Sequence, residues 1–201
     1  MAAATARRPN ILFILADDLG YGDVRCFHPG SKIPTPEIDR MAREGMRFTD
    51  AHSPSGVCSP TRYGVLTGRY AWRGWLKRGV LLAYSPAMIE GGRLTVAGML
   101  RRQGYRTAAV GKWHVGMTFT KTNGEIVTQK DGYIRDAGQI DFSKPITGGP
   151  VDNGFDYFFG NAACPTTDYL YSYIENRATV GRPTIPEPGG NYEPNEPMTE
   201  Y

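Results

Sequence analysis

Residues 10–16, near the start of the chain, are an asparagine followed by a continuous apolar run. The two carboxylates of Asp17 and Asp18 come directly after this run. A strand that is buried on both faces has this pattern, whereas a strand with one face in water alternates apolar and polar residues. Strands buried on both faces belong to parallel sheets that helices cover on either side. The run therefore predicts a buried parallel strand with two acids at its carboxyl end.

Helices and strands alternate after this run. A helix capped by Thr35 ends at Gly45, and residues 46–51 have the pattern of a short strand. A second helix capped by Thr95 precedes a strand over residues 105–110. This strand–helix–strand order is typical of βαβ units, so the sequence predicts the α/β class with a mostly parallel sheet.

The adjacent acids Asp17 and Asp18 have two interpretations. Ligands of open α/β sheets bind at the carboxyl ends of the strands, which is where the acids are predicted to lie. Two neighbouring carboxylates repel each other, and a hard divalent ion with oxygen ligands would compensate their charge. A solvated turn over residues 17–20 explains the same residues without an ion.

A second stretch of unusual composition starts at Cys58, with the pattern Cys-x-Pro-x-Arg, four further residues and then Thr-Gly-Arg. Pro60 favours a helix start, because its fixed φ suits a first turn that needs no N–H from it. Cys58 is then at a helix N-terminus, whose free N–H groups attract anions, and Arg62 adds a positive charge one turn later. A buried, inert cysteine before an ordinary helix is the alternative.

Lys112 and His114 follow the strand predicted over residues 105–110. Residues two apart in an extended chain point to the same side. A lysine supplies charge to an oxyanion, and a histidine moves a proton near neutral pH, so the pair suits an anionic substrate at a strand end. The alternative is a positively charged loop without a ligand.

The segment after the cysteine motif interleaves aromatic and basic residues, with Tyr70, Trp72 and Trp75 among arginines and lysines. Such aromatics could line the mouth of an anion pocket and stack on a sugar or aryl group. They could also be buried against the core, as aromatics at the boundary of loop and core often are. The sequence favours the buried arrangement.

Three stretches of the chain resemble the sulfatase family. Residues 9–23 are similar to the family's opening strand and metal loop, and residues 58–69 carry every fixed position of the first sulfatase signature. Residues 104–114 closely resemble the second signature. Both signatures stand in the family's order, so the chain is identified as a member of this family from its motifs.

The resemblance implies a nucleophile and a metal. In the family the cysteine matching Cys58 is oxidised to formylglycine, whose hydrated aldehyde is the nucleophile. The aspartates matching Asp17 and Asp18, with an oxygen of residue 58, bind Ca²⁺, and Mg²⁺ is less expected. A formylglycine-generating enzyme is the implied partner for maturation.

The resemblance also implies roles around the sulfate. The lysine matching Lys112 binds the sulfate, and Arg62 is expected to stabilise the added charge with it. The histidine matching His114 contacts the formylglycine hydroxyl and assists sulfate release. The implied fold is an alkaline-phosphatase-like α/β sandwich, incomplete in this chain, with a mostly parallel central sheet flanked by helices.

The expected activity is that of an arylsulfatase-like sulfuric ester hydrolase acting on a sulfated small molecule or glycan. A phosphonate or phosphate monoester hydrolase of the same superfamily is a second possibility. The third is an inactive truncated domain with at most a sulfate-binding role. A net charge of +3 is too small to indicate a nucleic-acid partner.

The expected organisation has three parts: a disordered segment 1–8, the N-terminal part of a catalytic domain over 9–180, and a proline-rich loop 181–201 that ends at a truncation. Further metal ligands, a histidine for the leaving group and a second lysine of the family have no match here. No apolar run is long enough to span a membrane, and no signal peptide is recognisable. The sequence as written is expected to be cytoplasmic, or periplasmic or secreted if a leader is missing.

Overall fold

The computed structural model describes residues 8–134, 136–164 and 172–181. The chain divides into two compact units, Met1–His52 and Ser53–Tyr201. Apart from Arg8 and Gly181, the predicted terminal segments 1–8 and 181–201 lie outside the described residues. Among the described helices, none has the length and apolar character needed to cross a membrane.

In the described part of the first unit, an α-helix, α1, spans Pro36–Glu44 and a short 3-10 helix spans Tyr21–Asp23. Helix α1 begins and ends where the sequence predicts, and the Gly45 N–H closes it by donating to the Met41 carbonyl at 2.9 Å. The Thr35 hydroxyl does not cap the helix. It donates instead to Asp39 Oδ1 at 3.1 Å.

The two strands predicted for this unit are wrong, because neither residues 10–16 nor residues 46–51 lie in a strand. The side chains of residues 11–14 are between 59% and 85% exposed. A strand needs a neighbouring strand to complete its backbone hydrogen bonds, and local composition cannot supply one. The apolar run therefore has the composition of a buried strand without the pairing that would make it one.

The second unit is built on a mixed four-stranded sheet in the order β1-β2-β3-β4. The first pair, β1 (Ala108–Lys112) and β2 (Tyr157–Asn161), is parallel, with Lys112 opposite Asn161. The strands β3 (Tyr173–Glu175) and β4 (Ala178–Val180) continue the sheet in antiparallel pairs. The predicted α/β class is confirmed, and the described sheet has one parallel pair.

The parallel pair brings two glycines into very close contact. Gly111 and Gly160 are opposite each other, and Gly111 has a φ of 104°, where a side chain is strained. A Cβ atom added at Gly160 would lie 1.9 Å from the Gly111 carbonyl oxygen. Glycine at these positions therefore sets the approach of the two strands just before Lys112.

The described residues of the second unit form two α-helices, α2 over Cys58–Thr67 and α3 over Val96–Arg102. Helix α2 ends at Gly68 in the left-handed conformation, and the Thr95 hydroxyl caps α3 by accepting the Gly98 N–H at 3.0 Å, as predicted. The core of the unit combines residues of α2, the sheet and the connecting segments, the most deeply buried being Tyr63, Leu81, Met88, Val115, Met117, Val127, Phe158 and Ile174.

A hairpin turn lies at Asn123-Gly124. The Lys121 N–H donates to the Glu125 carbonyl at 2.7 Å, and Gly124 has a φ of 87°, as a tight turn between antiparallel segments requires. The excursion that contains it supplies apolar side chains to the core, and it returns the chain to β2.

The C-terminal end of α2 is held by a polar cluster around Glu90. The buried Tyr63 hydroxyl donates to Glu90 Oε2 at 2.8 Å, and Arg69 donates to Glu90 Oε1 at 2.6 Å. Arg93 donates to Oε2 at 2.6 Å. Arg69 of the first signature thus has a structural contact, which joins the helix end to the segment before α3.

The surroundings of Glu90 lower its pKa, so its carboxylate is charged at neutral pH. Burial opposes ionisation of Glu90, but hydrogen bonds from its own backbone N–H, from Tyr63 and from Arg93 outweigh burial and lower its pKa. Burial raises the pKa of Tyr63, so that hydroxyl keeps the proton that it donates. At neutral pH the charged Glu90 therefore holds its three partners together, and we call the cluster of Tyr63, Arg69, Glu90 and Arg93 the Glu90 clamp.

We expect Glu90→Gln to lower the free energy of unfolding by about 1 to 2 kcal/mol at pH 7, because the charged hydrogen bonds are lost and the site is partly exposed. A lowered pKa stabilises the fold above the ordinary glutamate value of 4.5, and the stabilisation is lost as the pH falls through the lower value. Urea unfolding between pH 3 and pH 7 should show the wild type converging on the variant in acid. The exposed Glu37→Gln, whose carboxylate pairs only with Arg40 at 2.8 Å in the described chain, should show little change. Equal stability of Glu90→Gln and wild type at pH 7 would contradict the clamp.

We expect Gly160→Ala to destabilise the second unit by about 3 kcal/mol or more, because the added methyl group collides with the Gly111 backbone. Thermal unfolding followed by circular dichroism measures the loss. The matched control is Gly91→Ala, whose added Cβ meets nothing within 4 Å and which should shift stability by no more than about 1 kcal/mol. If Gly160→Ala were as stable as the control, the two strands could move apart without a loss of stability, and the prediction would be wrong.

Candidate active site

Cys58 is the first residue of α2, preceded by Val57 in an extended conformation. The chain forms a helix here because Pro60 pre-sets the first turn, and the Thr61 N–H already donates to the Val57 carbonyl at 3.2 Å. The N–H groups of a first turn and the helix dipole create a positive potential at this end. The partly buried Cys58 side chain is therefore placed where an anion is favoured.

The two sequence signatures meet at this helix end. Lys112 Nζ, from the last residue of β1, lies 3.3 Å from Cys58 Sγ. The Arg62 guanidinium, one turn into α2, donates to the Lys112 backbone carbonyl. The predicted nucleophile and both predicted cations are thus assembled from a helix start and a strand end that are about fifty residues apart in sequence.

His114 lies two residues beyond β1, with a left-handed φ of 56°. The prediction that Lys112 and His114 share one side of an extended chain is therefore wrong in its geometry. His114 Nε2 is 2.5 Å from the Leu81 carbonyl oxygen, which can only accept, so Nε2 carries the proton. In the neutral ring, Nδ1 is then the nitrogen that can accept a proton.

Ser59 links the histidine to the cysteine, and sequence reasoning did not identify this contact. The fully buried Ser59 hydroxyl accepts the Leu81 N–H at 3.0 Å, while the Leu81 carbonyl binds His114. The backbone of Leu81 therefore ties the residue after Cys58 to the catalytic candidate His114. The position of Ser59 next to the cysteine was the signal in the sequence that could have indicated its role. The sequence carries no such signal for Leu81, because Leu81 contributes only its backbone.

Asn161 is a second residue that the sequence did not indicate. It ends β2 opposite Lys112, and its backbone carbonyl accepts the Trp113 N–H at 3.0 Å. Its side-chain Oδ1 is buried and has no hydrogen-bond partner among the described residues. A buried acceptor without a donor is unusual. Asn161 therefore adds a polar group at the carboxyl ends of the two parallel strands.

The predicted metal ligands Asp17 and Asp18 lie in a loop of the first unit, where both residues are exposed and Asp18 has a φ of 57°. Across the described ranges, no group of three or more His, Cys, Asp or Glu side chains could hold a metal ion. Calcium takes six to eight oxygen ligands, which two aspartates do not provide. The described residues therefore do not form a complete site for the predicted ion.

The charge around Cys58 favours anions. Between Asp50 and Glu90 the sequence contains five basic residues and no acidic one. The helix N-terminus and Lys112 add their positive potential at Cys58, Arg62 contacts the backbone of Lys112, and the buried His114 is joined to Ser59 through Leu81. Such a constellation suits a tetrahedral oxyanion and its transfer to a nucleophile at residue 58.

Comparisons with known proteins agree with this chemistry. The family model described as Sulfatase matches residues 9–193. An N-acetylgalactosamine-6-O-sulfatase of Bacteroides thetaiotaomicron is 36% identical over 195 residues, which are 96% of this chain and 32% of the relative. Human arylsulfatase A is 46% identical over 115 residues, 57% of this chain and 22% of that protein.

Solved structures also match the fold of this chain. A solved structure from work on glycosaminoglycan metabolism by Bacteroides thetaiotaomicron matches with a TM-score of 0.68 and 37% identity, over 87% of this chain and 32% of the other. The chain thus spans about a third or less of the length of these relatives. On the family match and these identities, the chain belongs to the sulfatase family, whose members generally use a formylglycine and a divalent metal.

Proposed function

We propose that this chain carries the nucleophile and part of the sulfate site of a sulfuric ester hydrolase, which cleaves a sulfate ester to an alcohol and sulfate. The observation that supports this best is the 3.3 Å contact between Lys112 Nζ and Cys58 Sγ. It brings together residues from two separate signatures, and a cysteine of purely structural role would not need an ammonium group beside its sulfur.

We propose that Cys58 acts after oxidation to formylglycine by a formylglycine-generating enzyme. The hydrated aldehyde supplies one hydroxyl to attack sulfur and a second hydroxyl whose deprotonation releases sulfate and restores the aldehyde. The remaining protein groups bind the sulfate, balance its charge and move the proton. A thiol or a serine hydroxyl lacks the second hydroxyl, so the modification is required for turnover.

Lys112 and Arg62 bind the sulfate and stabilise charge that develops in the transition state. Lys112 contacts the position of the nucleophile directly, so its ammonium is close to any oxygen of a sulfate attacked there. Arg62 donates to the Lys112 carbonyl, which orients the guanidinium toward the strand end that carries Lys112. The free N–H groups of the first turn of α2 contribute in the same direction.

His114 is the proposed base for sulfate release. Because its Nε2–H donates to Leu81, the ring can take the proton of the second hydroxyl only at Nδ1. The bond to Leu81 also fixes the ring plane, and Leu81 is itself held by Ser59 next to the nucleophile. Leu81 and Ser59 are positioning residues in this mechanism.

We propose Asp17 and Asp18 as ligands of the divalent ion that the family uses. Carboxylates favour Ca²⁺ as a hard ion, and Mg²⁺ is the less favoured candidate. Because the described residues supply only part of its coordination shell, the roles given to Lys112, Arg62 and His114 do not depend on it.

The proposed substrates are sulfated glycans or small sulfated molecules, which is the class named by the relatives. A tetrahedral phosphonate or phosphate monoester would meet the same cations. Rates on paired aryl sulfate and aryl phosphonate substrates separate the two activities, and preference for the phosphonate would replace the sulfatase assignment.

We expect Cys58→Ala to abolish turnover of an aryl sulfate by the protein purified from its natural host. Cys58→Ser should complete no more than one turnover, because serine has no second hydroxyl. Cys26→Ala is the matched cysteine control and should retain activity. Mass spectrometry of the tryptic peptide 48–62 shows whether residue 58 is an aldehyde or a thiol. Turnover by Cys58→Ala, or full activity of a protein whose residue 58 is entirely thiol, would remove Cys58 from the mechanism.

We expect His114→Gln to fold but to lose about 10²- to 10⁴-fold in kcat. A glutamine amide can still donate to the Leu81 carbonyl, yet it has no proton-accepting nitrogen at the Nδ1 position. Stopped-flow or steady-state rates across pH 5 to 9 test the role, because the variant should also lose the acidic limb of the wild-type profile. A variant with near-normal kcat and an unchanged profile would make His114 a structural residue.

A further inference from the structure

An exposed surface directly after α2 combines aromatic and basic side chains. We call Tyr70, Trp72, Arg73 and Lys77 the aromatic–basic patch. Tyr70 and Trp72 are 54% and 57% exposed, and their rings stack with centroids 5.7 Å apart at an interplanar angle of 16°. The Arg73 guanidinium lies over the Trp72 ring, 5.4 Å from its centroid. The prediction that these aromatics are buried is therefore wrong for Tyr70 and Trp72.

The patch is held in place by hydrogen bonds to the rest of the second unit. Arg69, which the Glu90 clamp fixes, donates to the Arg73 carbonyl at 3.0 Å, and Lys77 Nζ donates to the Trp72 carbonyl at 2.9 Å. Ala71, between the two aromatics in sequence, is buried. Two large apolar rings are thus presented to water on a fixed backbone, which lowers the entropic cost of binding a ligand.

The charge of the patch is positive. Among the residues that the structure describes, no carboxylate forms an ion pair with Arg73, Lys77 or Arg78. Arg69 is the basic residue of this segment that Glu90 neutralises. A guanidinium over an indole ring can still donate its N–H groups to a ligand, and these match the oxygens of a sulfate or carboxylate.

A sulfated oligosaccharide fits both properties better than other polyanions. The apolar faces of sugar rings can lie on the stacked aromatics, while sulfates reach the cations at their border. A nucleic acid would need a longer track of cations along its phosphates, and a chain with a net charge of +3 does not favour one. The chemistry of the patch therefore points to an anionic carbohydrate.

The patch is separate from the candidate active site. Cys58 begins α2 and the patch follows the other end of this ten-residue helix, which is roughly 15 Å long. We propose that the aromatic–basic patch is a second binding surface, which holds a sulfated oligosaccharide chain away from the nucleophile. The surface requires neither modification of Cys58 nor turnover, so it goes beyond the proposed reaction.

A chondroitin sulfate hexasaccharide and its chemically desulfated counterpart are the probes, with binding measured by calorimetry and tryptophan fluorescence. We expect the wild type to bind the sulfated form and to lose affinity as salt is raised. Trp72→Ala should weaken binding about tenfold or more, and Arg73→Gln by a smaller factor. The control Tyr133→Ala removes an equally exposed aromatic elsewhere and should leave the affinity within about twofold.

Cys58→Ala separates this inference from the proposed reaction, because it should bind the hexasaccharide like the wild type while lacking turnover. Circular dichroism confirms that each variant is folded. Unchanged affinity in Trp72→Ala would overturn the proposal. So would equal binding of the desulfated probe, or tighter binding of a single-stranded oligonucleotide of the same charge.

Discussion

The close pairing of β1 with β2 is the constraint on which the candidate site depends. Gly111 and Gly160 let the two parallel strands approach, and the ladder continues past β1 as the Trp113 and His114 N–H groups donate to Asn161 and Ala162 at 3.0 and 2.9 Å. This ladder fixes where the chain leaves the sheet. Lys112 thereby reaches the start of α2, and His114 turns toward Leu81.

The two ends of helix α2 contribute to two different parts of the protein, the candidate site at its start and the Glu90 clamp at its end. Its first turn carries Cys58 and the buried Ser59, which reaches across to Leu81. Its last turns carry the buried Tyr63, and the Glu90 clamp fixes the residues that follow. A helix is stiff over such a length, so its two ends keep their separation. The same helix therefore fixes the positions of the nucleophile and of the aromatic–basic patch, which share no residues.

The helices could be predicted from sequence because their signals are local. Pro60 and Thr95 start helices by their own geometry, and Gly45 and Gly68 end them. The strands were less predictable, since pairing depends on distant residues: β1 lies two to three residues later than predicted, and the apolar run 10–16 has no strand partner in the described chain. The resemblance to a family named the candidate residues, but it did not reveal the backbone contacts of Leu81.

Backbone groups contact several residues of the site. The Lys112 carbonyl accepts a hydrogen bond from the Arg62 guanidinium, and Leu81 binds Ser59 through its N–H and His114 through its carbonyl. The clamp at the other end of α2 works differently, because Glu90 neutralises Arg69 and Arg93 in a structural contact. A carboxylate in the same role beside Cys58 would compete with a sulfate for the cations. The sequence between Asp50 and Glu90 contains five basic residues and no acidic one, so the basic residues of this segment have no acidic neighbour within the segment itself.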